Sequence, residues 1–280
     1  MGANLLGNRR ATIIAQEQMI VHQFYGGHDI KIIPIADVHL GARECMEDRF
    51  RQFIRMVEGT PNIYLTMGGD LINNSTRSSV GSPFTEVMPP HIQKREMANI
   101  LAPVRDRILC FVPGNHEMRS RKDADDCPVY DIAAKLDLED LYREDVAYVK
   151  VQLGLREYGK GHRPKADYRP TYTLVVAHGN GGGMLPGAAV NRGQRFGYVF
   201  SGMDLLVLGH THVPYNIKYK KINIDSRNNT VSEESFKVVC ATSWLEYAGY
   251  PVQKLLSPTA FAEQTVVLSG KGKCIEICTK

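Results

Sequence analysis

The sequence predicts an α/β protein in which buried strands end in polar residues, and three observations carry this prediction. Apolar runs alternate with helical patterns through the first half of the 280-residue chain, as in a mainly parallel sheet. Five apolar runs are followed at once, or after a short turn, by aspartate, asparagine or histidine. After residue 213 the pattern changes to short strands joined by Asn, Ser and Gly turns, which predicts a second sheet packed on the first.

The five apolar runs share one plan. The short motifs that follow them include five of the nine histidines. The carboxyl ends of strands in an α/β sheet converge on one crevice, where ligands bind. The sequence therefore predicts one polynuclear metal centre. The runs are 32–36, 63–67, 108–112, 174–177 and 205–208, and they lead into Asp37-Val38-His39, Gly68-Gly69-Asp70, Gly114-Asn115-His116-Glu117, His178-Gly179-Asn180 and Gly209-His210-Thr211-His212.

Three helices are predicted between the early strands, because apolar residues there recur at the spacing of a helix packed on a sheet. Residues that alternate between apolar and polar around position 150 predict a strand of a half-exposed sheet. The helix markers are Phe50, Phe53, Ile54 and Val57, then Met97, Ile100 and Leu101, then Val129, Ile132, Ala133 and Leu136, and the strand markers are Ala147, Val149, Val151 and Leu153.

The chain is interpreted as one large domain, residues 29–280, preceded by an N-terminal arm at residues 1–28. Residues 213–280 form the β-rich C-terminal part of the same domain. Residues 73–90 are rich in Ser, Thr, Gly and Pro and follow a ligand motif, so we expect a loop near the metal site.

The overall composition excludes disordered and fibrous classes, since 43% of residues are hydrophobic and 23% are charged. A net charge of +4 permits DNA or RNA as a partner without requiring it. The six cysteines form no CxxC pair, which favours a reduced, cytoplasmic protein. No apolar run is long enough to cross a bilayer, so no membrane partner is expected. The oligomeric state stays open.

The candidate ligands comprise two carboxylates, one amide oxygen and four imidazoles. This mixed oxygen and nitrogen set suits Mn²⁺, Fe, Zn²⁺ or Ni²⁺ and does not suit a soft thiolate site. Alternate residues of a strand face the same side, so Asp37 with His39, and His210 with His212, can each point toward one place, although turn geometry could redirect one member of each pair to a neighbouring metal. An isolated histidine is more often structural, and that interpretation is kept for the four without such spacing: His22, His28, His91 and His162.

The five motifs, in this order, resemble those of the calcineurin-like metallophosphoesterases, whose pattern of DxH, GDxxD/N, GNHD/E, a lone His and GHxH is complete between residues 37 and 212. The resemblance implies a four-layer α/β/β/α sandwich of two mixed β-sheets flanked by helices, with a dinuclear metal site at the strand ends. It implies two divalent ions, with Mn²⁺ expected and Fe, Zn or Ni as alternatives.

The resemblance also implies individual roles. Asp37, His39 and His212 would hold one ion, and Asp70 would bridge it to a second ion held by three further residues, Asn115, His178 and His210. A metal-bridging hydroxide would then attack the phosphorus in line. His116 would be catalytic without binding metal, donating to the phosphate or protonating the leaving oxygen.

One departure from the protein Ser/Thr phosphatase branch bears on the substrate. Asn73-Asn74-Ser75 follows Asp70-Leu71-Ile72 where that branch has Asp-Arg-Gly, so its phosphate-clamping arginine is missing. Arg77 or Arg119 is a candidate replacement, because a guanidinium suits bidentate phosphate contact, and a solvated surface arginine is an equal alternative.

The preferred hypothesis is a phosphodiesterase that acts on nucleic acid or a nucleotide. Basic residues flank the motifs where they could meet a polyanion, and loop 73–90 resembles loops of phage and prophage-type members of the family. A phosphomonoesterase, including a protein phosphatase, is the second hypothesis. A non-catalytic interaction module is the third, although no candidate ligand has been lost. The basic residues are Arg119, Arg121, Lys122, Arg192 and Arg195.

Overall fold

The computed structural model describes residues 18–77, 79, 83–155, 169–181, 185–253, 255 and 257–280. Within these ranges the chain forms two mixed β-sheets with helices against their outer faces, which confirms the predicted sandwich. Residues 1–17 of the predicted arm, His162 and part of loop 73–90 lie outside the described residues. No helix in the described part of the chain is both long and apolar enough to span a membrane.

The strands are, in chain order, β1 Ile20–Tyr25, β2 Ile30–Ile35, β3 Ile63–Met67, β4 Ile108–Phe111, β5 Val146–Leu155, β6 Thr171–Ala177, β7 Leu205–Leu208, β8 Tyr215–Asp225, β9 Thr230–Cys240, β10 Gln264–Leu268 and β11 Ile275–Thr279. The helices are α1 Glu47–Gly59, α2 Pro90–Leu101, α3 Glu117–Ala124, α4 Pro128–Lys135, α5 Pro186–Gly197 and the short α6 Tyr250–Gln253, with 3-10 turns at Pro83–Thr85, Ala102–Arg107 and Glu139–Leu141.

Sheet 1 has the strand order β11-β10-β2-β3-β4 and carries the first three ligand motifs. Strands β2, β3 and β4 are parallel, with Ile35 opposite Met67 and Met67 opposite Phe111. The three strands therefore end together at one edge of the sheet. The motifs that follow them start from neighbouring positions at that edge.

Sheet 2 has the order β1-β5-β6-β7-β9-β8 and carries the other two motifs. Strands β6 and β7 are parallel, with Val176 opposite Val207, so they also end side by side. Strands β8 and β9 form a long antiparallel hairpin next to β7, and β8 is the last strand on that side of sheet 2.

The central layer of the core lies between the two sheets. Ile32 and Cys110 of sheet 1 pack there with Val149, Leu174 and Val207 of sheet 2, each at most 2% exposed. Complete burial of an Ile, Leu or Val side chain contributes about 1.5–3 kcal/mol, so this layer is a main source of stability. The alternating residues predicted for β5 face this layer.

Helices cover the outer face of each sheet. The predicted stripe of α1 is buried against sheet 1 with residues of α2 and α4. Helix α5 covers sheet 2 through small residues, because a β-carbon on Gly193 would overlap Tyr215 and one on Gly197 would overlap Phe236. Trp244 packs on Phe50 and Phe53 in the sheet 1 layer and is 1% exposed, so it belongs to the core.

The structure corrects three expectations from the sequence. The C-terminal strands do not build a sheet of their own, since β8 and β9 join sheet 2 while β10 and β11 join sheet 1. Residues 20–25 of the predicted arm form β1, an edge strand parallel to β5. Helices α3 and α5 were not predicted, because neither has an apolar stripe of large side chains.

Candidate metal centre

Five candidate ligands lie on left-handed backbone just beyond a strand end: φ is 54° at Asp37, 49° at His39, 51° at Asp70, 69° at His210 and 55° at His212. This conformation is uncommon outside glycine, costs about 1–3 kcal/mol per residue, and persists only where the surroundings hold it. Backbone hydrogen bonds do so here. The N–H of Asp37 donates to Gly69 O at 3.0 Å, and that of His39 to Asp70 O at 2.9 Å.

The turns, and not strand alternation, determine where the side chains of the two i, i+2 pairs point. Asp37 with His39, and His210 with His212, were expected to face one way because they alternate along a strand. Strand β2 ends at Ile35 and β7 at Leu208, so both pairs lie past the strands. Asp37 and His39 reach the same group of side chains, whereas His210 and His212 reach different groups, which is the redirection by turn geometry that the sequence left open.

The first group of side chains consists of Asp37, His39 and His212. Oδ1 of Asp37 lies 3.3 Å from Nε2 of His212 and 4.0 Å from Nε2 of His39. The two histidine Nε2 atoms are 3.3 Å apart. These three ligand-type atoms therefore surround one point.

The second group consists of Asn115, His178 and His210. Oδ1 of Asn115 lies 2.7 Å from Nδ1 of His210 and 3.1 Å from Nε2 of His178, and these two nitrogens are 3.2 Å apart. Asp70 lies between the groups. Its Oδ2 is 3.3 Å from Nε2 of His178 and 3.7 Å from Nε2 of His39.

This geometry fits divalent metal. Ligand atoms about 2.1 Å from an ion and at right angles to one another are about 3 Å apart. Five of the six separations within the two groups are 2.7–3.3 Å and match that spacing, and the sixth, between Asp37 and His39, is 4.0 Å. The donors are oxygen and imidazole nitrogen, as the sequence predicted, and they suit Mn²⁺, Fe, Zn²⁺ or Ni²⁺.

The carboxyl groups are in the protonation state that metal binding needs. Burial acts to raise the pKa of Asp37, but His212 and His178 outweigh it and hold that pKa below its ordinary value. In the same way His178 and His116, acting against burial, hold the pKa of Asp70 well below its ordinary value. Both aspartates are therefore ionised at neutral pH.

The surroundings shift the pKa values of two of the imidazoles, those of His39 and His178, in opposite directions. Burial and the nearby His116 lower the pKa of His39 to about 3, so this ring is neutral and offers a lone pair. Burial acts to lower the pKa of His178 as well, but Asp70 raises it to about 10. The aspartates thus attract positive charge to the centre, and a divalent ion bound there would displace the proton of His178.

Hydrogen bonds from neighbouring turns orient the candidate ligands. The backbone N–H of His210 donates to both carboxyl oxygens of Asp37, at 2.8 and 3.1 Å. Nδ1 of His178 lies 2.8 Å from Gly68 O, and donation to this carbonyl leaves its Nε2 facing Asp70. Such contacts fix the ring orientation of ligand histidines and the direction of ligand carboxylates.

His116 lies beside the centre, next to His39 and Asp70. Its ring is 4.3 Å from that of His39, and its Nε2 is 3.8 Å from Oδ2 of Asp70. Its Nδ1 lies 2.8 Å from Asn73 O and 3.1 Å from Nη1 of Arg119. Donation from Nδ1 to the Asn73 carbonyl turns Nε2 toward the candidate ligands.

The structure separates the candidate substrate-binding arginines. Arg119 is half-buried beside His116, whereas Arg77 is exposed on the loop that follows Ser75. Among the other basic residues, Arg121 forms an ion pair with Glu144 at 2.5 Å, and Arg192 packs against Gly181. Of the two candidate substrate-binding arginines, Arg119 is therefore the one that lies beside the centre.

A polar network that the sequence did not reveal anchors the start of loop 73–90. Asn74 donates through Nδ2 to His116 O and to Ser120 Oγ, both at 2.9 Å. Its backbone N–H donates to the fully buried Gln93 at 2.8 Å, and Gln93 in turn donates to Glu86 at 2.6 Å. These residues are far apart in the sequence, so only the amide-rich start of the loop gave a signal.

Comparison with known proteins supports the motif pattern. A family model described as calcineurin-like phosphoesterase matches residues 30–214, a range that includes all five motifs. No curated protein matches the chain in sequence.

Two solved structures illustrate distant likeness. A metallophosphoesterase from Sphaerobacter thermophilus is 14% identical, with 90% of this chain and 88% of that chain covered and a TM-score of 0.38. The NAD nucleotidase of Haemophilus influenzae is 10% identical, with 89% and 49% covered and a TM-score of 0.39. The chain thus spans about half the length of the second protein.

Proposed function

This chain belongs to the calcineurin-like phosphoesterase family, and from that membership we propose that it hydrolyses phosphodiester bonds in nucleic acid or a nucleotide. Phosphoester hydrolysis is the activity of the family. The diester preference and the polymeric or nucleotide substrate are our proposal. The observation that carries it is the convergence of the two ligand groups on Asp70, with His116 and Arg119 beside them.

We assign Asp37, His39 and His212 to one divalent ion, and we assign Asp70 to both ions. The second ion takes the other three residues of the centre, Asn115, His178 and His210. Two ions bound there would act as Lewis acids on the phosphoryl oxygen and on the attacking water. Mn²⁺ is the ion we propose, because carboxylate, amide and imidazole donors suit it.

His116 is proposed to transfer a proton to the leaving oxygen or to donate a hydrogen bond to the phosphate. Its Nδ1 can donate to the carbonyl of Asn73, which lies 2.8 Å away. Burial, against the attraction of Asp70, lowers the pKa of His116, so the negatively charged phosphate would have to favour the doubly protonated ring, which keeps that bond and presents an Nε2–H to the substrate. General acid groups placed in this way accelerate bond cleavage by about 10²–10⁴-fold.

The charge that protein side chains add beside His116, apart from the proposed metal ions, supports a diester. A phosphodiester carries one negative charge, and a phosphomonoester near neutral pH carries close to two. Among the described residues, Arg119 is the one cation within hydrogen-bond distance of His116. Burial lowers the pKa of Arg119, against the attraction of Asp70 and Glu117, yet a guanidinium stays charged in proteins.

The test compares matched diester and monoester substrates with Mn²⁺. We expect bis(p-nitrophenyl) phosphate to be cleaved faster than p-nitrophenyl phosphate, and end-labelled single- or double-stranded DNA to be cut into a ladder. Rapid monoester turnover with no diester cleavage would instead support the phosphomonoesterase hypothesis.

The free cysteines fit a cytoplasmic protein, and burial raises the pKa of Cys110 and Cys240 to about 12, which keeps these thiols unreactive.

Arg119 and Arg77 form a matched pair of variants. We expect Arg119→Ala to lower kcat/KM on the diester by roughly 10–100-fold, the effect of losing a charge-assisted hydrogen bond of about 1.5–3 kcal/mol. Arg77→Ala removes the same charge from an exposed position and should change kcat/KM less than about 2-fold. Equal losses in the two variants would show that only overall charge matters and that Arg119 does not contact the phosphate.

A further inference from the structure

Glu117 is a buried carboxylate that joins two ligand-bearing turns. It is 1% exposed. Its Oε2 accepts the backbone N–H of Asp70 at 2.9 Å and that of Gly114 at 2.8 Å. Its Oε1 accepts the N–H of Ile72 at 3.1 Å. One side chain therefore satisfies three buried backbone donors, two after β3 and one after β4.

The same two turns touch directly on the other side of Asp70. A β-carbon on Gly114 would overlap the carboxylate and the backbone nitrogen of Asp70. The N–H of His116 donates to Oδ1 of Asp70 at 2.8 Å. Asp70 is thus held at its carboxylate by the turn after β4 and at its backbone by Glu117.

We propose that Glu117 is a positioning residue that fixes Asp70 relative to Asn115 and thereby sets the affinity of the ion held by Asn115, His178 and His210. This proposal rests on the proposed two-ion function. Asp70 and Asn115 follow different strands, so their separation depends on contacts between the two turns. The carboxylate of Glu117 reaches both turns from the first residue of α3.

The other ion should depend less on Glu117. Asp37 is held by the N–H of His210, and its carbonyl accepts the N–H of Trp244 at 3.0 Å. None of these contacts involves the turn after β4. Displacement of that turn should therefore weaken the second ion more than the first.

Two variants distinguish the effect of the length of the Glu117 side chain from the effect of its charge. Glu117→Asp keeps the negative charge but shortens the side chain by one methylene, and Glu117→Gln keeps the length but loses the charge and one acceptor. If position matters, both variants should bind the second Mn²⁺ about 10–100-fold more weakly, the usual effect of removing a group that orients a ligand. A Glu117→Asp variant with the affinity of the parent would overturn the proposal and leave charge as the whole effect.

The measurement is a Mn²⁺ titration monitored by calorimetry, and the bound metal is counted after dialysis. Neither readout requires turnover, so the test does not depend on the proposed substrate. Ile132→Val is the control for general destabilisation, because Ile132 is fully buried in α4 and packs in the outer core layer. This control should keep two ions at parental affinity. Loss of the second ion in the control as well, or a parent that never binds two ions, would overturn the inference.

Discussion

Replacing Asp70 by asparagine should remove bound metal from both sites and lower kcat by at least about 10³-fold, or roughly 4 kcal/mol of transition-state stabilisation. The asparagine has nearly the same shape and can still accept the N–H of His116 through Oδ1. It lacks the charge that faces His178 at 3.3 Å and His39 at 3.7 Å. Because Oδ2 lies between the two groups, one substitution should affect both ions.

Metal content measured beside the rate tests this expectation, and Asp204→Asn is its matched control. Asp204 is also a partly buried aspartate, and it accepts a backbone N–H from Thr173 at 2.8 Å and pairs with Lys273. It is less buried than Asp70, with 17% of its side chain exposed, and it lies before β7, at the opposite end of the strand from the metal centre. The control should keep two ions. An Asp70→Asn variant that also kept two would show that Asp70 does not bridge them.

The candidate ligands could be predicted from the sequence because their signal is local. Each motif comes directly after an apolar strand, and parallel strands end at a common edge. Asp37 and His178 are found in this way without knowledge of the sheet that contains them. The left-handed backbone at five of the ligands was not predictable, since it depends on hydrogen bonds between turns that are distant in sequence.

The partition of strands between the sheets could not be predicted for a related reason. Strand β10 pairs with β2, and β9 pairs with β7, so each C-terminal pair extends a sheet that is already present. The short apolar run of β10 indicates a strand but does not identify its neighbour. Two of the missed helices lacked the usual pattern: α3 buries Glu117 and Ser120, and α5 packs through Ala189, Gly193 and Gly197.

Most of the buried polar side chains that support the centre could not be predicted from the sequence. Gln93 lies on the face of α2 that the spacing assigns to the core, where an amide is unexpected. It is fully buried because it bonds to Asn74 and Glu86. A buried polar group is stable only with a partner, and the partner is set by the tertiary structure.

His116→Ala should retain both ions and lower kcat by about 10²–10⁴-fold, because His116 is proposed to act on the substrate and not to bind metal. His22→Ala is the control, since His22 is a half-buried histidine of β1 that contacts Leu109 O of β4 and none of the candidate ligands. We expect the control to keep its ions and its rate. Loss of metal in His116→Ala would contradict the assigned role.

The choice of leaving group then distinguishes the two roles open to His116. A p-nitrophenolate leaves without needing a proton, whereas the alkoxide of a nucleoside does need one. If His116 protonates the leaving oxygen, the loss in His116→Ala should be much smaller for bis(p-nitrophenyl) phosphate than for a dinucleotide. If Nε2–H donates only to a phosphate oxygen, the loss should be similar for both substrates, because that contact does not depend on the leaving group.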